Sequence, residues 1–106
     1  MEQSDSIQEM QILEQNLHSI LLQKQAFQLE LSETEASVEE INKSDDEVFK
    51  IVGNLMIKTS KDKILDELNN KKKLLSIRVN SLDKQEEAIN SKVSKIRDSV
   101  LGEKKK

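Results

Sequence analysis

The sequence predicts a mainly α-helical chain, in which a single central β-hairpin joins the two arms of a long antiparallel coiled coil. Three observations predict it. Two apolar heptad repeats run for more than four heptads each. Between them lies one alternating apolar stretch with Gly53-Asn54 at its centre. The composition (35% charged, 35% hydrophobic, two Phe, no Trp, Tyr or Pro, two Gly) supplies narrow apolar seams but no large globular core. With 106 residues the chain is long enough for one domain. Its expected parts are a helix over 5–44, a hairpin over 48–59, a second helix over 60–101 and a tail over 102–106.

In the first helix, alternating spacings of three and four run through Met10, Leu13, Leu17, Ile20, Lys24, Phe27, Leu31, Thr34, Val38 and Ile41. These are successive a and d positions, with Met10 at a. Ser6 with Glu9 has the spacing of a capping box, and Ser44-Asp45-Asp46 reads as the break that ends the helix.

Residues Val48 to Thr59 carry the hairpin. Glycine at the first central position suits a type II′ two-residue turn. That turn pairs Val52 with Leu55, Lys50 with Ile57 and Val48 with Thr59. One face then presents Val48, Val52, Leu55 and Ile57, and the other Phe49, Ile51 and Met56. A lone two-stranded hairpin is marginal in water, and both faces of this one are apolar. The expectation is that other chains cover it, so that these seven residues drive oligomerisation.

The second helix starts after Thr59 or Ser60 as cap, with Asp62 in its first turn. Its repeat runs through Leu65, Leu68, Lys72, Leu75, Val79, Leu82, Glu86, Ile89, Val93, Ile96 and Val100. Folding the chain about Gly53 sets a positions of one helix against d positions of the other, Leu31 near Leu75 and Phe27 near Val79. Lys24 and Glu86 then fall within about one turn of each other. They either form a diagonal ion pair that penalises shifted registers or snorkel separately out of the seam. Gly102 is expected to end the helix and open a solvated tail. The resulting expectation is a rod with the hairpin at one end and both termini at the other.

Charge is divided unevenly. Residues 1–42 hold nine acidic residues and Lys24, a net of −8, whereas residues 43–106 hold eleven acidic and sixteen basic residues, a net of +5. An acidic first helix beside a more basic second one favours their pairing and register.

At the terminal end of the rod, Ile7, Met10, Ile12, Leu13, Ile96, Val100 and Leu101 are expected to gather from both helices. Such a patch suits weak contact with varied apolar polypeptides. The same residues also read as an ordinary seam at a fraying end.

Catalytic chemistry has no constellation here. His18 is the only histidine, at an outward b position, and there is no cysteine, so neither metal nor nucleophilic chemistry is expected and no cofactor is called for. Net acidity and scarce aromatics disfavour nucleic-acid binding, and no apolar run approaches the ~20 residues of a membrane span. Lacking disulfides, the chain fits a reducing cytoplasm.

The stretch Val48-Phe-Lys-Ile-Val-Gly-Asn-Leu-Met-Ile-Lys58, followed by Lys61-Asp62, Asp66-Glu67-Leu68 and Leu82-Asp-Lys-Gln-Glu-Glu87, resembles the β-type subunits of prefoldin, of the archaeal kind. One hairpin in place of two matches β and not α. The resemblance implies a hexamer of two α and four β subunits whose hairpins assemble into intersubunit β-barrels. It further implies capture of unfolded proteins at the coiled-coil tips and their delivery to a group II chaperonin without ATP. From the residues alone, a structural coiled-coil adaptor linking specific folded partners is the alternative.

Overall fold

The structure is a computed structural model that describes residues 2–45 and 47–105, with side chains described for 5–45 and 47–102. Its elements in order are α1 (Glu2–Lys43), β1 (Glu47–Val52), β2 (Leu55–Ser60) and α2 (Lys61–Lys105). Both helices are long because neither contains proline and only Gly102 lies within one of them. The chain divides into two compact units, residues 27–78 and residues 1–26 with 79–106.

The unit of residues 27–78 contains the hairpin. β1 and β2 pair antiparallel, with Val52 opposite Leu55, Lys50 opposite Ile57 and Val48 opposite Thr59. This is the register expected from the Gly53-Asn54 turn. Gly53 has φ +61° and no other described residue has positive φ. A type I′ turn would also need positive φ at Asn54, so the geometry is that of type II′. A Cβ at Gly53 would meet nothing within 4 Å; the turn therefore needs glycine for its backbone angle, not for room.

The junctions of this unit are closed by short polar contacts. The Ser44 amide donates to the Ile41 carbonyl at 3.1 Å, and the Ser44 hydroxyl donates to the same oxygen at 2.8 Å. These end α1 in a tight turn. Lys61 Nζ donates to the carbonyls of Asn42 and Ser44 at 3.1 and 3.3 Å. A cation thus sits at the negative end of the α1 dipole. Ser60, the last residue of β2, accepts a hydrogen bond from the Lys63 amide at 3.2 Å and so caps α2. The strand leads into the helix without a linker.

Within the same unit, α1 and α2 pack through Phe27, Leu31, Thr34, Val38 and Ile41 on one side and Leu65, Leu68, Lys72 and Leu75 on the other, all buried or half-buried. Thr34 is buried, and its hydroxyl donates to the Glu30 carbonyl at 2.8 Å. The polar seam residue is satisfied by its own helix. Glu30 and Lys71, both at g, pair at 3.2 Å; g-to-g contact marks an antiparallel pair. Arg78 lies over the Phe27 ring, 5.5 Å from its centroid, where a guanidinium is attracted by the negative ring face.

In the unit of residues 1–26 and 79–106, Leu13, Ile20 and Leu82 are buried, and Met10, Leu17, Lys24, Val79, Glu86, Ile89, Val93, Ile96 and Val100 are half-buried. Every position assigned to the two heptad seams is therefore at least partly covered.

Three boundary expectations are corrected. α1 begins at Glu2, not near residue 5, so Ser6 and Glu9 lie inside the helix and form no capping box at its start. Acidic Asp5 suits the positive end of the dipole. α1 stops at Lys43 and β-pairing extends from Glu47 to Ser60, each one residue from the expected bound. α2 continues through Gly102 to Lys105 in place of the expected tail. Gly102 does not adopt the left-handed conformation of a helix cap. An interior glycine costs a helix only about 1 kcal/mol relative to alanine, and the good helix formers beside it carry the helix past. Asp46 and Lys106 lie outside the described residues.

Candidate assembly hairpin and helix-tip patch

The hairpin is the most apolar exposed feature of the molecule. Phe49, Ile51, Val52, Leu55, Met56 and Ile57 are all exposed, Ile51 and Met56 most of all at 72% and 68%. Val48 alone of the seven is half-buried. The pairing explains the difference. Val48, Lys50, Val52, Leu55, Ile57 and Thr59 share one face, and Lys50 on that face pairs with Glu67 of α2 at 2.9 Å. Val48 and Thr59, opposite each other on this face, are half-buried. The face of Phe49, Ile51 and Met56 has only the rim pair Glu47–Lys58, at 2.9 Å, for company.

Both strands also keep one unpaired edge, since the sheet has only two strands. A free edge presents backbone donors and acceptors in a row, ready to extend a ladder. Apolar faces and free edges together make the hairpin a template for strands from another chain.

Glu67 reports the local electrostatics: the hydrogen bond from Lys50 holds its carboxyl below the ordinary value, with desolvation opposing. The pair is solvent-exposed and contributes orientation more than stability.

All seven predicted tip residues lie in the unit of residues 1–26 and 79–106. Ile7, Ile12 and Leu101 are exposed, while Met10, Ile96 and Val100 are half-buried. Leu13 is only 8% exposed. The reading of these residues as a seam at a fraying end does not describe Leu13, because α1 extends about three turns beyond it toward the N-terminus. Leu13 belongs to the covered seam, and of the seven only Ile7, Ile12 and Leu101 are exposed.

The same unit resolves the question at Lys24. Its ammonium lies 2.6 Å from Asp83 and 3.0 Å from Glu86, so the diagonal pair forms and gains a second carboxylate. Hydrogen bonds from Lys24 to Asp83, then to Glu86, raise the lysine above its ordinary value, against a smaller desolvation effect. Sequence reasoning missed Asp83, which sits at an e position beside the seam.

Sequence reasoning also passed over Leu29, Leu74 and Ile77, all exposed. The signal was present in the heptad frame: Leu29 and Ile77 fall at f and Leu74 at c, positions that face away from the partner helix.

One surface groove holds Gln11, Glu14, Gln15 and His18 along α1. A shallow groove of about 390 Å³ is lined by Asn16, Ser19, Ile20, Gln85, Ala88 and Ile89, amides and aliphatics without an acid–base pair. Among the described residues no three His, Cys, Asp or Glu are placed to hold a metal ion, and no helix is long and apolar enough to cross a membrane.

Comparison with known proteins converges on one family. A family model described as Prefoldin subunit matches residues 4–104. Prefoldin subunit beta of Pyrococcus furiosus is 38% identical over 89 residues, spanning 82% of this chain and 76% of its own length. The Thermococcus kodakarensis protein of that name is 40% identical over 85 residues, spanning 78% and 73%. Among solved structures, the prefoldin beta subunit from Thermococcus strain KS-1 matches with a TM-score of 0.89 at 34% identity, over 93% of this chain and 89% of that one. The beta2 subunit of the same strain, at 22% identity and a TM-score of 0.71, bears on the fold alone.

Proposed function

The chain belongs to the prefoldin family of chaperone subunits, and from that premise we propose that it is a subunit of an ATP-independent holdase that captures unfolded polypeptides. The observation that carries this reading is the hairpin, six of whose apolar side chains are exposed across both faces. Val48, Phe49, Ile51, Val52, Leu55, Met56 and Ile57 form the assembly surface, closing an intersubunit β-barrel with copies of this chain and with prefoldin α subunits. The hexamer of two α and four β subunits is the expected product.

Client contact falls to Ile7, Met10, Ile12, Ile96, Val100 and Leu101, with Leu13 supporting them from within the seam. A holdase needs adaptable apolar contact without covalent chemistry, and aliphatic groups on helix surfaces provide it. Delivery to a group II chaperonin in the cytoplasm completes the proposed cycle. No step requires a nucleotide.

The test uses the assembled complex. Removing residues 2–12 together with 97–105 should leave the number of subunits in the complex unchanged and abolish suppression of client aggregation, followed by light scattering. Full suppression by the truncated complex would reject the tips as the client site. A chain that binds a few folded proteins and ignores unfolded ones would instead be a structural adaptor.

A further inference from the structure

The hairpin joins the helices at a corner with little slack. Ser60 ends β2 and Lys61 begins α2, so one strand enters its helix directly, while α1 ends at Lys43 and β1 begins at Glu47. Two lysines cross this corner. Lys50 of β1 pairs with Glu67 of α2 at 2.9 Å. Lys61 of α2 donates to the Asn42 and Ser44 carbonyls, at 3.1 and 3.3 Å. All five residues lie in the unit of residues 27–78.

The first contact closes a triangle. Lys50 stands opposite Ile57, which is three residues along β2 from Ser60, or about 10 Å of strand. Glu67 stands six residues along α2 from Lys61, or about 9 Å of helix. The ion pair joins the far ends of these two legs and so sets the angle between hairpin and α2. The second contact ties the end of α1 to the start of α2, which gives both strands one base. Lys61 is half-buried, whereas Asp62 and Lys63 beside it are exposed.

Exposed ion pairs add little to folding stability; what this brace controls is direction. The six residues of β1 span about 17 Å, so a pivot of ~15° at its base moves the turn by about 4.5 Å, close to the ~4.8 Å between neighbouring strands. A hairpin displaced by one strand spacing cannot offer its edge to the same ladder. Its apolar faces do not correct the error, because hydrophobic contact is non-directional.

We propose that Lys50, Glu67 and Lys61 are positioning residues for assembly, holding the hairpin at one angle to the helices so that its free edges meet strands of partner chains in register. The inference rests on the hairpin assembly proposed above and adds that the apolar faces do not suffice without the brace. A loosened hairpin is correctly set for only a fraction of the time, and its apparent affinity falls by that fraction.

Exchanging the charges tests this. Lys50→Glu and Glu67→Lys each break the pair, and the double variant re-forms it with the charges reversed. Each full-length variant is assembled with the prefoldin α subunit and diluted, with mass followed by light scattering. Each single variant should dissociate at roughly tenfold higher concentration than the parent, the change expected when about one hairpin in ten is correctly set. The double variant should return close to the parent. Lys61→Met should weaken assembly in the same way and Lys61→Arg, which keeps a cationic donor, should restore it. Helical circular dichroism and melting of the unassembled chain should not change. Single variants that assemble like the parent overturn the inference. A double variant as weak as the singles also overturns it, since Lys50 or Glu67 then touches a partner chain itself. Weakened assembly matched by a lower melting temperature of the unassembled chain overturns it too, the contacts then being ordinary stabilisers. A parent chain that stays monomeric overturns the hairpin reading, and the brace falls with it.

Discussion

The hairpin of residues 47–60 and the helix pair of residues 1–26 with 79–106 both leave large apolar side chains in solvent, by different means. In the hairpin, the two-residue period of paired strands spreads six of them over both faces of a ribbon whose edges are free. Contiguous area and an unpaired ladder define one geometry for a covering chain, because strand register fixes which side chains meet. In the helix pair, the heptad period draws most apolar residues into a covered seam and leaves Ile7, Ile12, Leu21, Leu22 and Leu101 exposed outside it. Isolated aliphatic groups define no register and offer small areas, suited to weak contacts with many sequences. Backbone pairing thus suits the hairpin to specific assembly as proposed, and the helical surface to exchangeable contact.

The sharpest way to break that contrast is to charge the open hairpin face. Ile51 and Met56 are directly opposed, so Ile51→Lys with Met56→Lys puts two like charges side by side where cover is expected. Burying unpaired ammonium groups costs several kcal/mol, on the order of a thousandfold or more in dissociation constant. The complex should fall to monomers by light scattering while helical circular dichroism persists. A variant that keeps its assembled mass would mean that another surface holds the subunits together.

Two leucines in the same unit test what the seam contributes. Leu82 is buried and Leu22 is exposed. Leu82→Ala should lower unfolding free energy by about 2–3 kcal/mol, toward the low end for a buried leucine because a two-helix seam is narrow. Leu22→Ala should change it by less than about 0.5 kcal/mol. Comparable losses in chemical denaturation would show that the outer position carries structural weight.

At the tip, Ile7→Ser, Ile12→Ser and Leu101→Ser together remove exposed groups without opening the seam. Suppression of client aggregation should weaken several-fold, each contact being worth on the order of 1 kcal/mol or less. Assembled mass and melting temperature should hold. Undiminished suppression would move client contact to the half-buried residues or away from the tip.

The seams, the hairpin register and the caps at Ser44 and Ser60 were legible in the sequence because each depends on local periodicity or on one backbone demand, such as the positive φ at Gly53. The helix ends were less legible. Gly102 is a break only if the chain turns left-handed there, and short-range propensity does not decide that. Asp83 escaped notice because a heptad reading assigns e positions to solvent, whereas a lysine stem leaving the seam at Lys24 emerges beside one. Leu29, Leu74 and Ile77 were visible as letters, but attention to a and d hides what lies at c and f. The tip was the least legible part: which aliphatic groups stay accessible depends on how far each helix extends past them, as Leu13 illustrates.

The smallest expected effect concerns the polar layer inside the otherwise apolar helix pair. Lys24 is 22% exposed and holds two carboxylates, at 2.6 and 3.0 Å. It joins α1 to α2 through a polar layer in an otherwise apolar seam. Ion pairs of this kind add little net stability over apolar replacements, so Lys24→Met with Glu86→Leu should melt close to the parent, whereas Lys24→Met alone should melt lower by leaving Asp83 and Glu86 without their cation. Non-additivity in the cycle is the expected sign of coupling. Its pH dependence has a definite direction. The folded state raises Lys24 above the ordinary value of 10.5, so its contribution is complete below that pH and fades as the pH rises through the elevated value. The gap between the parent and Lys24→Met should therefore be constant from pH 7 to 9 and narrow in strongly alkaline buffer. A gap that widens there, or a strictly additive cycle at neutral pH, would reduce Lys24 to a snorkelling side chain.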